Sequence, residues 1–108
     1  MRGHLDLLLL ATVGATGPAH GYAIIASLRQ RSLGVFDMPE GTIYPALHRL
    51  ERQGFIASQW DSDAVRRRRV YRLTPAGAGA LAAKREDWRS LARGVHAILG
   101  NRVAEEFA

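Results

Sequence analysis

The chain has 108 residues, 47% of them hydrophobic and 23% charged, a balance that is typical of one folded domain and not of a disordered chain. Its net charge is +5 and all of its 15 basic residues except Lys84 are arginine, which favours a polyanionic partner such as nucleic acid, although a GC-rich genome would also enrich arginine. The absence of cysteine excludes disulfides and thiolate metal sites and suits a reducing cytoplasm.

The first predicted element is a helix within MRGHLDLLLLATVGA. Its inner face is predicted to consist of residues at helical spacing: Leu5, Leu8, Leu9 and Thr12 or Val13. A short apolar run after one arginine can resemble a signal peptide, but His4 and Asp6 adjoin this run and it is too short to span a bilayer. We therefore expect a buried first helix in a soluble, cytoplasmic protein with no membrane partner.

A second helix is predicted from about His20 to Arg31, after a turn signal in GATGP at residues 14–18. The residues expected to face inward are Ile24, Ile25 and Leu28. The segment SLGVFDMP then changes the local pattern and predicts a brief extended piece that ends at Pro39. This piece would connect the second helix to the third.

The third predicted helix, from about Glu40 to Gln53, has two chemically different faces and is ended by Gly54. The residues that point inward at steps of about 100° are Ile43, Leu47 and Leu50, and those that point away are Thr42, Pro45, His48, Arg49 and Arg52, with Tyr44 at the border. The outward side chains can hydrogen-bond base edges and phosphates. On this helix alone, DNA recognition and a merely solvated basic face are equally compatible with the pattern.

Two short alternating runs, from Phe55 to Trp60 and from Arg68 to Leu73, predict an antiparallel hairpin around the loop DSDAV. The run VRRRRVYR places five arginines, Arg66 to Arg69 and Arg72, on that loop and the returning strand without a compensating acid. Such crowded charges favour a neutralising partner such as a DNA backbone or minor groove, although an isolated arginine run can also mark a heparin-like or membrane surface. Helices followed by a hairpin predict a mainly α fold, the winged helix-turn-helix.

A last helix is predicted from Thr74, the N-cap, and Pro75, its first residue, to Gly100. A seven-residue repeat along it forms a narrow apolar seam, which predicts a homodimer interface: Leu81, Trp88, Leu91, Val95 and Ile98. The alternatives are a seam that packs on the first helix of its own chain, or a mixed arrangement. We expect residues 1–75 to form the DNA-binding domain and residues 76–108 a dimerisation helix and tail.

Four motifs in this order resemble the PadR family of bacterial transcriptional regulators. They are HGYAII at 20–25, GTIYPALHRLERQGFI at 41–56, RRRRVYRLTPAG at 66–77, and a closing helix with a tryptophan. The resemblance covers roughly residues 3–99. It is to the short-tailed type of this family, which has a single closing helix. It implies a winged-helix homodimer that binds a palindromic operator in double-stranded DNA, usually a repressor, often released by a small molecule.

The resemblance also assigns roles to residues. The family's recognition helix carries a G-T-x-Y-P motif, which corresponds here to Gly41, Thr42, Tyr44 and Pro45. The basic wing corresponds to Arg67, Arg68 and Arg69, and Tyr22 either reaches a phosphate or packs at a helix start. Family wings commonly have glycine at the tip, whereas this loop reads DSDAVR. The question of which arginine enters a minor groove therefore stays open.

Some relatives bind flat aromatic compounds between the paired closing helices, and Trp88 is either dimer core or also a contact for a small aromatic effector. No catalytic residue, metal site or cofactor is predicted, because the four histidines form no ligand cluster and neither a nucleophile elbow nor a phosphate-binding glycine loop occurs. Two hypotheses remain at this point: a sequence-specific DNA-binding regulator, or a small basic scaffold that binds anionic surfaces without reading sequence.

Overall fold

A computed structural model describes residues 2–62 and 67–100. In these ranges the helices are α1 Arg2–Thr16, α2 Gly21–Arg31, α3 Glu40–Arg52 and α4 Pro75–Leu99, and the strands are β1 Ala19–His20, β2 Ile56–Trp60 and β3 Arg69–Leu73. The predicted loop tip, which includes Arg66, and the predicted tail from residue 101 lie outside the described residues.

The core surrounds α1, whose residues Leu9, Leu10 and Val13 are fully buried. Side chains from α2, α3, β2 and α4 pack with them: Ile24, Leu28, Ile43, Leu47, Leu50, Ile56 and Leu81. Thr12 is also buried, and its hydroxyl donates to the carbonyl of Leu8 at 2.7 Å, which satisfies the polar group. The periodicity of the sequence therefore predicted the inner faces, except that Leu10 is buried while Leu8 and Ile25 are half-buried.

The helix ends follow the predicted capping signals. The Thr74 hydroxyl accepts from the backbone N–H of Gly77 at 3.0 Å, which confirms the N-cap of α4. At the end of α3, Gly54 has a φ of +82° and the N–H of Phe55 donates to the carbonyl of Leu50 at 3.0 Å. This left-handed glycine with a bond back across the last turn is a Schellman motif, and it turns the chain from α3 into β2.

The three strands form one antiparallel sheet in the order β1-β3-β2. The predicted hairpin is present, with Ile56 opposite Leu73 and Trp60 opposite Arg69. Strand β1, in which Ala19 lies opposite Tyr71, was not predicted because two residues are too short for a recognisable alternation. The mainly α fold with a small sheet, a winged helix-turn-helix, is confirmed.

Two local predictions were wrong. The segment after α2 is not extended at its start but turns back tightly, because Leu33 and Gly34 have positive φ and the N–H of Gly34 donates to Arg29 at 2.8 Å. Leu81 is not on the outer seam of α4 but buried in the core of its own chain, because the first turns of α4 pack on α1. The seam that stays exposed begins at Trp88.

Candidate nucleic-acid interface

The outer face of α3, the start of α2 and the basic strand β3 surround one open cleft of about 310 Å³. Six of the residues predicted for DNA contact line it: Tyr22, Tyr44, His48, Arg67, Arg68 and Arg69. They come from three separate segments of the chain. Aromatic hydroxyls, an imidazole and guanidinium groups that face one cleft can donate hydrogen bonds to phosphate oxygens and base edges.

Tyrosine side chains join the beginnings of α2 and α3 beside this cleft. The rings of Tyr22 and Tyr44 meet edge to face with centroids 6.3 Å apart, and the Tyr44 and His48 centroids lie 6.5 Å apart. Hydrogen bonding to Glu40 and the negative charge of that carboxylate raise the pKa of Tyr22 above its ordinary value. Burial raises the pKa of Tyr44 in the same direction, so both hydroxyls stay protonated near neutral pH and can act as donors.

The remaining predicted contacts on α3 divide into two groups. Thr42, Pro45 and Arg52 are exposed on the helix surface but do not line the cleft. They are accessible to a long ligand that runs along α3, and their contact with DNA stays a prediction. A double helix is such a ligand, since its major groove is about 12 Å wide and admits a whole helix.

Arg49 is the exception, because it points towards α1 and not towards the outer surface. Its Nη2 binds Asp6 Oδ1 on α1, and the exposed fractions of the two side chains are only 18% and 11%. Its Nε atom is buried and has no hydrogen-bond partner in the described part of the chain. The prediction that Arg49 points away with His48 was therefore wrong, since a carboxylate that is distant in sequence draws it into the domain.

The wing is held to α3 by a chain of polar contacts. Arg69 Nη1 donates to the Ser58 hydroxyl at 2.7 Å, and that hydroxyl donates to a carboxylate oxygen of Glu51 on α3. The guanidinium groups of Arg67 and Arg69 also lie over the ring of Trp60, at 4.4 and 4.7 Å from its centroid. Arg68 is exposed. All three arginines line the cleft, but the guanidinium of Arg69 also donates a hydrogen bond to Ser58 within the chain.

His20 has a structural role that the sequence analysis missed. Its Nε2 lies 3.3 Å from Asp61 Oδ2, and its Nδ1 lies 3.4 Å from the carbonyl oxygen of Arg69. The imidazole thus connects β1 to both strands of the wing at their outer ends. The sequence analysis placed His20 at the start of the second helix, and only the pairing of β1 with β3 reveals this contact.

The exposed part of α4 forms a second apolar surface. Its large side chains are Trp88, Leu91, Val95, Ile98 and Leu99, with exposed fractions between 44% and 87%. The ring of His4 on α1 meets Trp88 edge to face at 5.8 Å. A surface cavity of about 440 Å³ lies beside it and is lined by His4, Leu7, Leu8, Phe36, Arg85 and Trp88.

Neither a metal site nor a membrane span is found in the described ranges. No cluster of three or more histidine, aspartate or glutamate side chains in residues 2–62 and 67–100 has an arrangement that could hold a metal ion. Among the helices of those same ranges, none combines the length and hydropathy that a bilayer crossing requires.

Comparison with known proteins agrees with this architecture. Residues 9–83 match the model of the transcriptional regulator PadR-like family. The chain is 40% identical over 81 residues to the transcriptional regulator Rv3488 of Mycobacterium tuberculosis, a match that covers 75% of this chain and 73% of that protein.

Solved structures show the same similarity. A PadR family transcription regulator from Clostridium difficile superposes with a TM-score of 0.77 at 30% identity, covering 89% of this chain and 98% of that one. A PadR family transcriptional regulator from Eggerthella lenta superposes with a TM-score of 0.78 at 36% identity, covering 91% and 83%. The chain therefore belongs to the PadR-like family of transcriptional regulators, a family of DNA-binding proteins and not of enzymes.

Proposed function

We propose that this protein is a sequence-specific repressor that binds its operator as a homodimer and is released by a small molecule. The observation that carries the proposal is the cleft between α3 and the wing, where six polar or charged side chains from three segments face one surface. The net charge of +5 supports the same partner, because a DNA backbone attracts a basic protein over a long range.

The two halves of the interface have different tasks in this proposal. The beginning of α3 enters the major groove, where Thr42, Tyr44, Pro45 and His48 determine register and the choice of base. Arg52, farther along the helix, and Tyr22 bind phosphates. The wing arginines, Arg67 and Arg68 above all, add affinity by neutralising phosphates or entering the minor groove. Arg49 no longer belongs to this set, because its charge is used inside the domain.

A homodimer would cover the exposed apolar surface of α4. The side chains from Trp88 to Ile98 recur every three to four residues along one stripe, which favours packing against a second helix. A dimer related by twofold symmetry would present two α3 helices to successive major grooves, about 34 Å apart, and so favour a palindromic operator. Such a regulator acts in the cytoplasm, where the DNA is.

Release by an effector would use the cavity beside Trp88. Its walls are apolar apart from His4 and Arg85, and its volume of about 440 Å³ suits a small flat aromatic compound. Because the cavity touches both α1 and α4, a bound compound could favour a dimer with one spacing of its two DNA-binding units over a dimer with another. This preference would lower the affinity for the operator.

The proposal is tested by selecting operators from a pool of random double-stranded DNA and measuring affinity by fluorescence anisotropy at two salt concentrations. We expect a palindromic consensus and an affinity that exceeds that for shuffled DNA. We also expect His48→Ala to relax the choice of base, because one base contact contributes about 1–3 kcal/mol of discrimination. A double variant, Arg67→Gln with Arg68→Gln, should lower the affinity for all DNA sequences alike and reduce the slope of log affinity against log salt by roughly two.

The matched control is Arg93→Gln, which removes an exposed arginine of α4 that does not line the cleft. It should leave both the base preference and the salt slope nearly unchanged. Equal affinity of the wild-type protein for consensus and shuffled DNA would refute the proposal. It would leave only the hypothesis of a basic scaffold that binds anionic surfaces without reading sequence. A change of base preference in the wing variant as large as that in His48→Ala would refute the division of tasks.

A second prediction concerns Gly21, which lies directly beneath the ring of Tyr44. A Cβ atom at this position would come within 2.6 Å of Tyr44 Cζ, so alanine can be accepted only if the ring moves. We expect Gly21→Ala to cost about 1–3 kcal/mol of stability and to lower operator affinity, because Tyr44 loses its place beside His48. Thermal unfolding and anisotropy measure the two effects.

The test of that cause is a double variant. In a Tyr44→Ala background the space above Gly21 is empty, so Gly21→Ala should there have almost no further effect on operator affinity. If Gly21→Ala weakens binding equally in both backgrounds, its effect does not pass through Tyr44 and the explanation fails.

A further inference from the structure

Trp60 is a large aromatic side chain at the end of β2 that the fold does not need for its core. Its exposed fraction is 48%, and it is not among the residues that form or adjoin the hydrophobic core. It does not line the cleft either. An exposed tryptophan at the edge of a basic wing therefore requires an explanation other than burial of apolar area.

The contacts of Trp60 are with two arginines. Arg69 lies directly opposite on β3, so the two side chains share one face of the sheet, and its guanidinium is 4.7 Å from the ring centroid. The guanidinium of Arg67 is 4.4 Å from the same centroid. Both distances are within the range in which the π-system of an aromatic ring attracts a cation. The ring thus holds together two positive charges that would otherwise repel each other.

Both arginines line the cleft, but only Arg69 is also anchored to α3. Arg69 is bound through Ser58 to Glu51, which is on α3, so its position follows that of the proposed recognition helix. Trp60 rests on Arg69, and Arg67 rests on Trp60. The contacts therefore form one continuous series from α3, through the wing, to the guanidinium of Arg67 at the cleft.

We propose that Trp60 is a positioning residue of the wing, which keeps the Arg67 guanidinium ordered at the cleft before DNA arrives. This inference rests on the proposed DNA-binding function, and it gives Trp60 the role of fixing the position of a wing arginine. A free arginine side chain loses rotamer entropy when it binds a phosphate, whereas a stacked one has lost much of it on folding. Trp60 thereby raises affinity without touching DNA.

The first experiment uses the free protein and does not depend on DNA. In a Trp88→Phe background Trp60 is the sole tryptophan of the chain, so fluorescence quenching by acrylamide reports on its ring alone. Arg67→Gln and Arg69→Gln should each increase quenching, because each removes a guanidinium group that lies over the ring. Arg72→Gln, a change three residues from Arg69 on the opposite face of the sheet, should not. Unchanged quenching in both stack variants would overturn the inference.

The second experiment measures operator affinity. Trp60→Ala should bind on the order of tenfold more weakly, Trp60→Phe should retain most of the affinity, and the neighbouring control Gln59→Ala should match the wild type. If Trp60 acts through Arg67, then Trp60→Ala should have little effect in an Arg67→Gln background. Additive losses, or an unchanged affinity in Trp60→Ala, would contradict a positioning role.

The two experiments separate failure of this inference from failure of the proposed function. A wild-type protein that binds no DNA sequence selectively would refute the proposed function, and with it the role of Trp60 in DNA binding. Quenching would still report whether Arg67 and Arg69 contact the ring of Trp60. Selective binding by the wild type, combined with a normal affinity of Trp60→Ala, would refute only the positioning role.

Discussion

Replacement of Gly77 by alanine is expected to destabilise the fold by about 3 kcal/mol or more, because the new methyl group has no room. A Cβ atom would lie 2.8 Å from the carbonyl carbon of Phe55 and from Leu73 Cδ1, and closer still to the Phe55 oxygen. That oxygen is fixed, since it accepts the backbone N–H of Thr74 at 3.1 Å. Because the obstacle is backbone, the start of α4 would have to move away from the beginning of β2.

Gly79, two residues farther along the same helix, provides the matched control. Apart from its chain neighbours and the nearby backbone of its own helix, a Cβ atom there meets no atom within 4 Å, so Gly79→Ala should stabilise the protein by about 1 kcal/mol through the higher helix propensity of alanine. Urea unfolding followed by circular dichroism measures both variants. Opposite signs for the two changes are expected, and similar stabilities would contradict the close packing of α4 on Phe55.

Removal of the Asp6 carboxylate is the second large effect. Asp6→Ala should lower the free energy of unfolding by about 2–4 kcal/mol, because Arg49 would keep its charge in a largely buried position without a counter-charge. The same variant should weaken operator binding measured on folded protein, since Arg49 is on α3 and its contact with α1 sets the orientation of that helix. Chemical denaturation and anisotropy provide the two measurements.

An exposed acid supplies the control for this change. Glu86 lies 4.0 Å from Arg89 and 3.5 Å from Arg93 on the surface of α4, so Glu86→Ala should alter stability by less than about 1 kcal/mol. A combined Asp6→Leu, Arg49→Met variant should recover most of the loss of Asp6→Ala, because it leaves no unpaired charge. If Asp6→Ala lowered the stability as little as Glu86→Ala, the ion pair of Asp6 and Arg49 would contribute no more than a surface contact.

Much of the fold was predictable because its determinants are local. The inward residues of α2 and α3 recur at helical spacing, and Ile24, Leu28 and Ile43 are buried as that spacing requires. Thr74 followed by Pro75 marked the start of α4, and Gly54 marked the end of α3. Each of these signals acts within a few residues of the chain, so no knowledge of distant neighbours is needed.

The candidate site was only partly predictable, because a helical wheel gives the direction of a side chain but not what it meets there. Arg49 and His48 are adjacent in sequence, yet His48 faces the cleft and Arg49 binds Asp6, which is 43 residues away. The bonding of His20 to the wing spans 49 residues from the imidazole to the Arg69 carbonyl. Neither contact has a signal in a local pattern.

The sequence by itself determined the four helices, the hairpin, the caps and the basic wing, since periodicity, turn residues and charge are properties of short segments. Only the tertiary structure decided that Arg49 is an internal partner of Asp6, that Leu81 belongs to the core, and that two guanidinium groups lie over the ring of Trp60. The physical reason is that the environment of a side chain depends on which distant elements pack beside it, and that packing is a property of the whole chain.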